Sequence, residues 1–455
     1  MSEHVDAVVI GAGPAGEVMT TRLAAAGRRV ALVEAELIGG ECGYWACIPS
    51  KTLLRAPEAL AEVQRVEGVA GAQLDWPALR AYRDYMIRHL DDSAQVQGYA
   101  DQGVTVLKGA ARITGPGTVD VDGRTVTADH IVIATGSAPL IPPIEGLADV
   151  EVWTNREVTT LREIPRRALL VGGSAVGVEM STFLSRFGTH VTLVQRSSRL
   201  LNREEPQVSE IVAAELTGSG VDVRTGRTAT HARRDGDDTV VSLDDGTEGR
   251  VDVLVIGAGR RPRTDELGGQ SAGVELDEHG AVRVDASCQA AEGVWAIGDV
   301  TGVMPFTHVG KYQARVAAAN ILGTPRVASY DGIPRVVFGE PEIAAVGLTA
   351  SQARDAGHEV SMAEVDLADS IARPWTYENN PRGTLGLVAD QTQNRLLGAW
   401  AVAPLCSEWI HQAAQAIRTQ IPIDVLLDGV AQFPTYSESY LQALESLKAP
   451  VANPD

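Results

Sequence analysis

The chain has 455 residues and a formal net charge of −20, and its length exceeds what one hydrophobic core serves, so several domains are expected. Its composition is that of an ordinary globular protein, with no apolar run near the roughly 20 residues a membrane span needs, so no membrane association is expected. The acidic balance argues against nucleic acid as a partner.

The N-terminus, MSEHVDAVVIGAG, enters a strand almost at once, with no basic-then-apolar leader, and a cytoplasmic location is expected. From Val5 the sequence reads VDAVVIGAGPAGEVMTTRLAAAGRRVALVE, a strand, a glycine turn, an Ala-rich helix and a second strand ending on Glu34. Gly11 makes the tight turn, Gly13 admits a pyrophosphate to the backbone, and Gly16 lets the helix pack close. The helix N-terminus then faces the phosphates, and Glu34 can accept the ribose hydroxyls of an adenosine.

Next comes CGYWACIPSK, Cys42 to Lys51, with two of the chain's four cysteines. Four are too few for a disulfide scaffold of this size, so a close pair points to catalysis or metal binding rather than a structural staple. Zinc favours two such pairs or closely spaced histidines, and the nine histidines form no such cluster, so no bound metal is expected. In an ideal helix, residues five apart have α-carbons roughly 8–9 Å apart. A disulfide tolerates only about 4.4–6.8 Å, so the pair closes only where the helix is irregular. Pro49, best tolerated in a first turn, places that irregularity at a helix start, where a thiolate is favoured.

Residues 82–100 read as one helix. Ile131 to Pro139, IVIATGSAP, is a strand ending in a small-residue turn at Thr135 and Gly136. A second dinucleotide unit follows in RALLVGGSAVGVEMSTFLSRFGTHVTLV, with Gly172 and Gly177 as outer glycines and Ser174 in the middle position, which loosens the phosphate approach. This unit ends on Gln195 and Arg196 rather than an acid, with Arg199 and Arg203 nearby. That favours a 2′-phosphate, and so NADPH over NADH. VLVIGAG, ending at Gly259, is a similar strand, and VWAIGD sets Asp299 after a buried strand, where it can bind a polyol hydroxyl.

These ordered motifs resemble the class I flavoprotein disulfide reductases, the family of glutathione reductase, dihydrolipoamide dehydrogenase and mercuric reductase. GGECGYWACIPSK is similar to that family's redox motif, and ATGSAP, GRRPRT, AIGD and PTYSE follow in family order. GEPEIAAVGLT, from Gly339, looks like the start of its dimerisation domain. The resemblance implies an α/β fold with two Rossmann-like dinucleotide-binding domains and a C-terminal α+β dimerisation domain. Its expected divisions are FAD-binding parts at 1–150 and 268–330, an NAD(P) domain at 151–267, and a dimerisation domain at 331–455.

It also implies roles. Cys47 is the flavin-side thiol and Cys42 the interchange thiol. Lys51 lies near flavin N5 with Glu179 as its carboxylate partner, and His308 sits beside the flavin ring. Bound FAD, exchangeable NADPH and a homodimer with its active site at the subunit interface are expected.

The chain departs from the family in two places. Tyr44, Trp45 and Ala46 replace smaller residues in the redox loop, as a gate, a stacking surface or plain packing. Phe433 stands where the family's HPTxxE carries its histidine acid–base, although Pro434, Thr435 and Glu438 remain. Losing such a group costs about 10²–10⁴-fold. Glu438, Tyr436 and Tyr440 are the candidate substitutes, while His411 falls on an interface helix. Mercuric reductase also lacks this histidine. The ending SLKAPVANPD lacks that enzyme's cysteine pair, so mercury reduction of the usual type is not expected.

The leading expectation is an NAD(P)H-dependent FAD oxidoreductase with an atypical small-molecule acceptor such as a quinone, dye, metal ion or specialised metabolite. The alternatives are a disulfide reductase with a substitute proton donor and a redox-sensing flavoprotein that does not turn over.

Overall fold

The structure, a computed structural model, describes residues 3–448. The closing APVANPD, on which the missing cysteine pair was read, lies outside them. The first strand, Glu3–Ile10, lies between Val30–Glu34 and Arg124–Ile133, parallel to both. Thr105–Lys108 and Val294–Ala296 extend the parallel sheet on either side. These strands are rich in Val, Ile, Leu and Ala, and their central residues are buried, as in parallel strands covered on both faces. The strand Val294–Ala296 returns to this sheet after the chain has built a second one, so this domain is assembled from two separate stretches.

That second sheet is also parallel and runs Asp222–Thr225, His190–Gln195, Arg167–Val171, Val253–Ile256, Val152–Trp153. A third, antiparallel sheet runs Pro334–Val337, Ile343–Gly347, Arg395–Val402, Thr384–Asp390, Val360–Asp366. Helices His411–Arg418 and Glu438–Lys448 accompany it. Two dinucleotide-binding units and a C-terminal α+β unit are thus present, as the sequence motifs imply. A short antiparallel pair, Ser137–Pro139 with Arg260–Pro262, ties the first two units together.

The single helix expected over 82–100 is instead two, Trp76–Met86 and Ser93–Asp101. Between them Arg88, His89 and Leu90 have φ of 53°, 52° and 60°, a left-handed turn that no right-handed helix can contain. The break delivers Asp92 to a tertiary task. Its Oδ2 accepts from the Ile38 N–H and from Lys108 Nζ, both at 2.7 Å. No helical periodicity announces that demand. Among the described residues, no helix is long and apolar enough to cross a membrane.

Candidate active site

Cys42 lies in a short helix, Gly40–Tyr44, and Cys47 opens a long one, Cys47–Arg65. Trp45 and Ala46 form the break between them. Ala46 has φ −135° and ψ −98°, outside the helical range. The break brings the two free thiols into hydrogen-bonding contact, as their spacing required of an irregular helix start.

The pair is electrostatically unequal. The hydrogen bond from Cys42 pulls the Cys47 thiol down to about 6 against the cost of burial, helped by the Thr307 hydroxyl and the Lys51 charge. The same bond and burial push the Cys42 thiol up. Thr307 Oγ1 lies 3.5 Å from Cys47 Sγ. It is the first residue of the helix Thr307–Ile321, so the positive end of that helix also faces the thiolate.

Lys51 follows Cys47 by one helical turn, and its Nζ lies 3.0 and 2.8 Å from the two carboxylate oxygens of Glu179. Glu179 is buried on the helix Ala175–Arg186 and also accepts from the Phe338 N–H at 3.1 Å. The Lys51 ammonium sits 4.8 Å from the Phe338 ring centroid. One ion pair thus joins the redox helix, the second dinucleotide unit and the C-terminal unit. Next to Thr307, His308 donates from Nε2 to the Pro334 carbonyl at 2.9 Å and stacks on Phe306. Burial lowers its pKa, which keeps the ring neutral.

The glycine turns test whether dinucleotides fit. A Cβ on Gly11 would stand 2.3 Å from the Ala134 carbonyl oxygen, and one on Gly16 would stand 1.9 Å from that of Gly11. A Cβ on Gly13 would meet no atom within 4 Å. Gly11 and Gly16 close the turn, and Gly13 leaves it open on the side where a pyrophosphate would approach. Glu34 accepts the Ala12 and Glu36 N–H groups, each at 2.7 Å, and keeps lone pairs for ribose hydroxyls. Asp299 accepts from Ser137 Oγ at 2.6 Å, which in turn accepts from Arg260 Nε at 2.7 Å. Thr135 Oγ1 donates to the Arg263 carbonyl at 2.7 Å. Gly136 and Gly259 have positive φ, 71° and 133°.

The second unit repeats the pattern. A Cβ on Gly172 would meet the Gly257 carbonyl oxygen at 2.4 Å, and one on Gly177 would meet that of Gly172 at 1.9 Å. Ser174 turns its hydroxyl back to the Gly257 carbonyl at 3.1 Å. The Gln195 amide oxygen accepts the Gly173 N–H at 2.9 Å and so holds the turn. Arg199 spends its guanidinium on Glu204, Ser209 and Asn202, whereas Arg196 and Arg203 are exposed.

At the C-terminal end, Phe433 is 75% exposed and Val430 98%. Glu438 Oε2 accepts the Thr435 N–H at 3.1 Å. Tyr436 is buried and stacks on Trp409, and the Tyr440 hydroxyl donates to the Trp409 carbonyl at 3.4 Å. His411 is exposed and accepts from the Gln415 side chain.

For Tyr44 the structure decides between the alternatives the sequence left open, and it adds partners of the redox loop that the sequence did not reveal. Tyr44 is fully buried and donates to the Ile38 carbonyl at 3.1 Å, so it is core packing rather than a gate. Trp45 packs under the Arg156 guanidinium, whose central carbon lies 4.1 Å from the indole ring centroid. Its carbonyl accepts from Asn155 Nδ2 at 2.8 Å and Thr159 Oγ1 at 3.2 Å. Asn155 and Thr159 bound the short helix Asn155–Thr159, whose start the Thr154–Glu157 capping box marks in the sequence, but nothing there says what the helix touches. Thr307 was overlooked beside His308.

Two dinucleotide-binding units, a thiol pair poised between thiolate and thiol, and a C-terminal interface unit define a flavin- and nicotinamide-dependent thiol oxidoreductase. The family model for pyridine nucleotide-disulphide oxidoreductases matches residues 5–315, and the model for that family's dimerisation domain matches 333–444. The chain belongs to this family. It is 35% identical over 454 residues to a dihydrolipoyl dehydrogenase of Thermus scotoductus, covering 97% of each chain. It is 32% identical over 462 residues to a mercuric reductase of Streptomyces lividans, covering 98% of this chain and 97% of that one. Among solved structures it resembles the Cu(II) complex of the HOCl-induced flavoprotein disulfide reductase RclA from Escherichia coli. That likeness has a TM-score of 0.88 at 28% identity, over 98% of this chain and 100% of that one. FAD and a pyridine nucleotide are typical of the family, and its dimerisation domain indicates a homodimer.

Proposed function

We propose that the chain is an NADPH-preferring flavoprotein oxidoreductase whose Cys42–Cys47 pair delivers electrons to an acceptor that needs no positioned acid on the protein, foremost a metal ion, or a quinone whose two protons are those the dithiol releases to water. The observation that carries this reading is the side chain at 433. A phenyl ring stands there, where the family pattern calls for a histidine, and it moves no proton. The candidate substitutes are already engaged or buried: Glu438 holds a backbone N–H, Tyr440 a carbonyl, and Tyr436 is enclosed against Trp409.

Bound FAD would supply hydride-accepting and electron-transferring chemistry between the nicotinamide and the thiol pair. Gly11, Gly13, Gly16, Glu34 and Asp299 would hold it. Gly172, Ser174, Gly177 and Arg196 would hold NADPH, with the exposed Arg196 meeting the 2′-phosphate. Lys51 and Glu179 provide a fixed charge pair beside Cys47, and Thr307 stabilises its thiolate.

The chemistry separates the acceptors. Reducing a disulfide requires a proton for each departing thiolate, and a positioned acid supplies it. Reducing two Cu(II) to two Cu(I) re-forms the Cys42–Cys47 bond and releases two protons to water, so no protein acid is required. A relative recorded as a Cu(II) complex supports this choice.

The test is anaerobic titration with NADPH and with NADH, followed by reoxidation with Cu(II), quinones and small disulfides. Long-wavelength absorbance after two electrons, with the flavin still oxidised, supports the thiol route. Reoxidation by Cu(II) or quinone at least about 10²-fold faster than by disulfides supports the acceptor class. Efficient turnover of simple disulfides, or no gain with disulfides in Phe433→His, overturns the account of Phe433.

A further inference from the structure

We infer that Arg156, acting through Trp45 and Glu41, is the positioning residue that keeps Cys42 within reach of Cys47 when the pair is reduced. The inference rests on the reading that these cysteines cycle between disulfide and dithiol. It concerns what holds the reduced state together.

The two sulfurs lie on different helices, and the only chain between them is Gly43 to Ala46. With no covalent bond, entropy favours their separation. The opposing contacts converge on the hinge. Asn155 and Thr159 both donate to the Trp45 carbonyl, and the Arg156 guanidinium lies over its indole. Arg156 also pairs with Glu41, the residue before Cys42, its Nε lying 2.7 Å from a carboxylate oxygen. Its two terminal nitrogens fork onto Glu36 at 2.8 and 2.6 Å. Asn155 reaches the other oxygen of Glu41 at 2.9 Å, and Arg263 adds a longer contact at 3.3 Å.

The network is partly buried, with side-chain exposures of 24% for Arg156 and 18% for Glu41, so solvent screens it less than a surface ion pair. A planar guanidinium is the one side chain that forks onto carboxylates while stacking on an indole. One arginine from the second dinucleotide unit therefore fixes the residue before Cys42 and the residue two before Cys47.

In the disulfide the S–S bond holds the hinge whether or not the clasp is present. In the dithiol the clasp does so, with only the weak Cys42–Cys47 hydrogen bond beside it. Removing the clasp frees the reduced form alone and shifts the equilibrium towards dithiol.

The test equilibrates the holoprotein with glutathione buffers of graded composition. Glutathione disulfide is cleaved to two glutathione as the dithiol loses two electrons and two protons and forms its S–S bond. Samples are quenched in acid and scored by mass spectrometry of alkylated peptides. Relative to the wild type, Arg156→Gln and Trp45→Val should each need about tenfold less reducing buffer at the midpoint, the scale of one lost charge-assisted contact. Trp45→Phe, which keeps an aromatic face, should return most of that shift. Arg156→Gln removes no core volume, so it remains informative if Trp45→Val fails to fold. Unchanged midpoints alongside lowered thermal stability would mean ordinary packing and overturn the inference. A wild-type chain that never forms the disulfide strikes down the redox reading itself and removes the inference with it.

Discussion

At the scale of single residues, the site works by unequal treatment of like groups. Cys42 and Cys47 are the same side chain, yet one is pushed up and the other drawn down to about 6, because one donates the hydrogen bond the other accepts. As pH rises through that value, the reduced protein should gain one thiolate, visible in ultraviolet difference absorbance against the disulfide form. Thr307→Val removes a stabilising hydroxyl and should move the rise to higher pH. An unmoved midpoint would show that the Thr307 contact at 3.5 Å contributes nothing. The Lys51–Glu179 pair makes a different prediction. Lys51→Met leaves a buried carboxylate with only the Phe338 N–H, at a cost of about 1–3 kcal/mol. Glu179→Gln keeps an acceptor for that N–H and should cost less. Urea unfolding midpoints of the two variants decide the order. Both residues were legible only through the family resemblance, whereas Thr307 and Arg156 carry no local signature.

At the scale of elements, the two glycine turns separate residues that build the turn from the residue that admits a ligand. Gly13→Ala meets no protein atom and should leave the ligand-free fold within about 0.5 kcal/mol, while bound flavin per chain falls. Gly177→Ala would press a methyl group to 1.9 Å from the Gly172 carbonyl oxygen and should lower the thermal midpoint whether or not nucleotide is present. Flavin absorbance per protein and thermal melts distinguish the two outcomes. At the far end of the second unit, Arg196→Ala should raise KM for NADPH several-fold and leave that for NADH nearly unchanged. Equal effects on both would remove the 2′-phosphate assignment. The strand–turn–helix units were readable because hydrophobic period and glycine spacing are local properties. The helix over 82–100 was misread because its break at Arg88–Leu90 serves Asp92, whose partners Ile38 and Lys108 are distant in sequence.

At the scale of the whole molecule, the C-terminal unit leaves large apolar side chains uncovered within one chain, Val430 and Phe433 above all. A homodimer of this family would cover such a surface. Phe433→Asp places a charge there and should shift the dimer towards monomer at micromolar concentration, as read by light scattering. Persistence of the dimer would put Phe433 outside the interface. The Lys51–Glu179 pair and the Trp45–Arg156 clasp also act at this scale, since each joins units far apart in sequence.

The sequence by itself determined the two dinucleotide units, the thiol pair and its need for an irregular helix start. Each rests on short-range spacing or on a motif that carries its own mechanics. Only the tertiary structure decided that Tyr44 is core, that Trp45 lies beneath Arg156 and that Thr307 faces Cys47. Those contacts join residues as much as 260 positions apart, as Cys47 and Thr307 are. Which distant side chains meet is set by how the three sheets pack together, and no local periodicity encodes that.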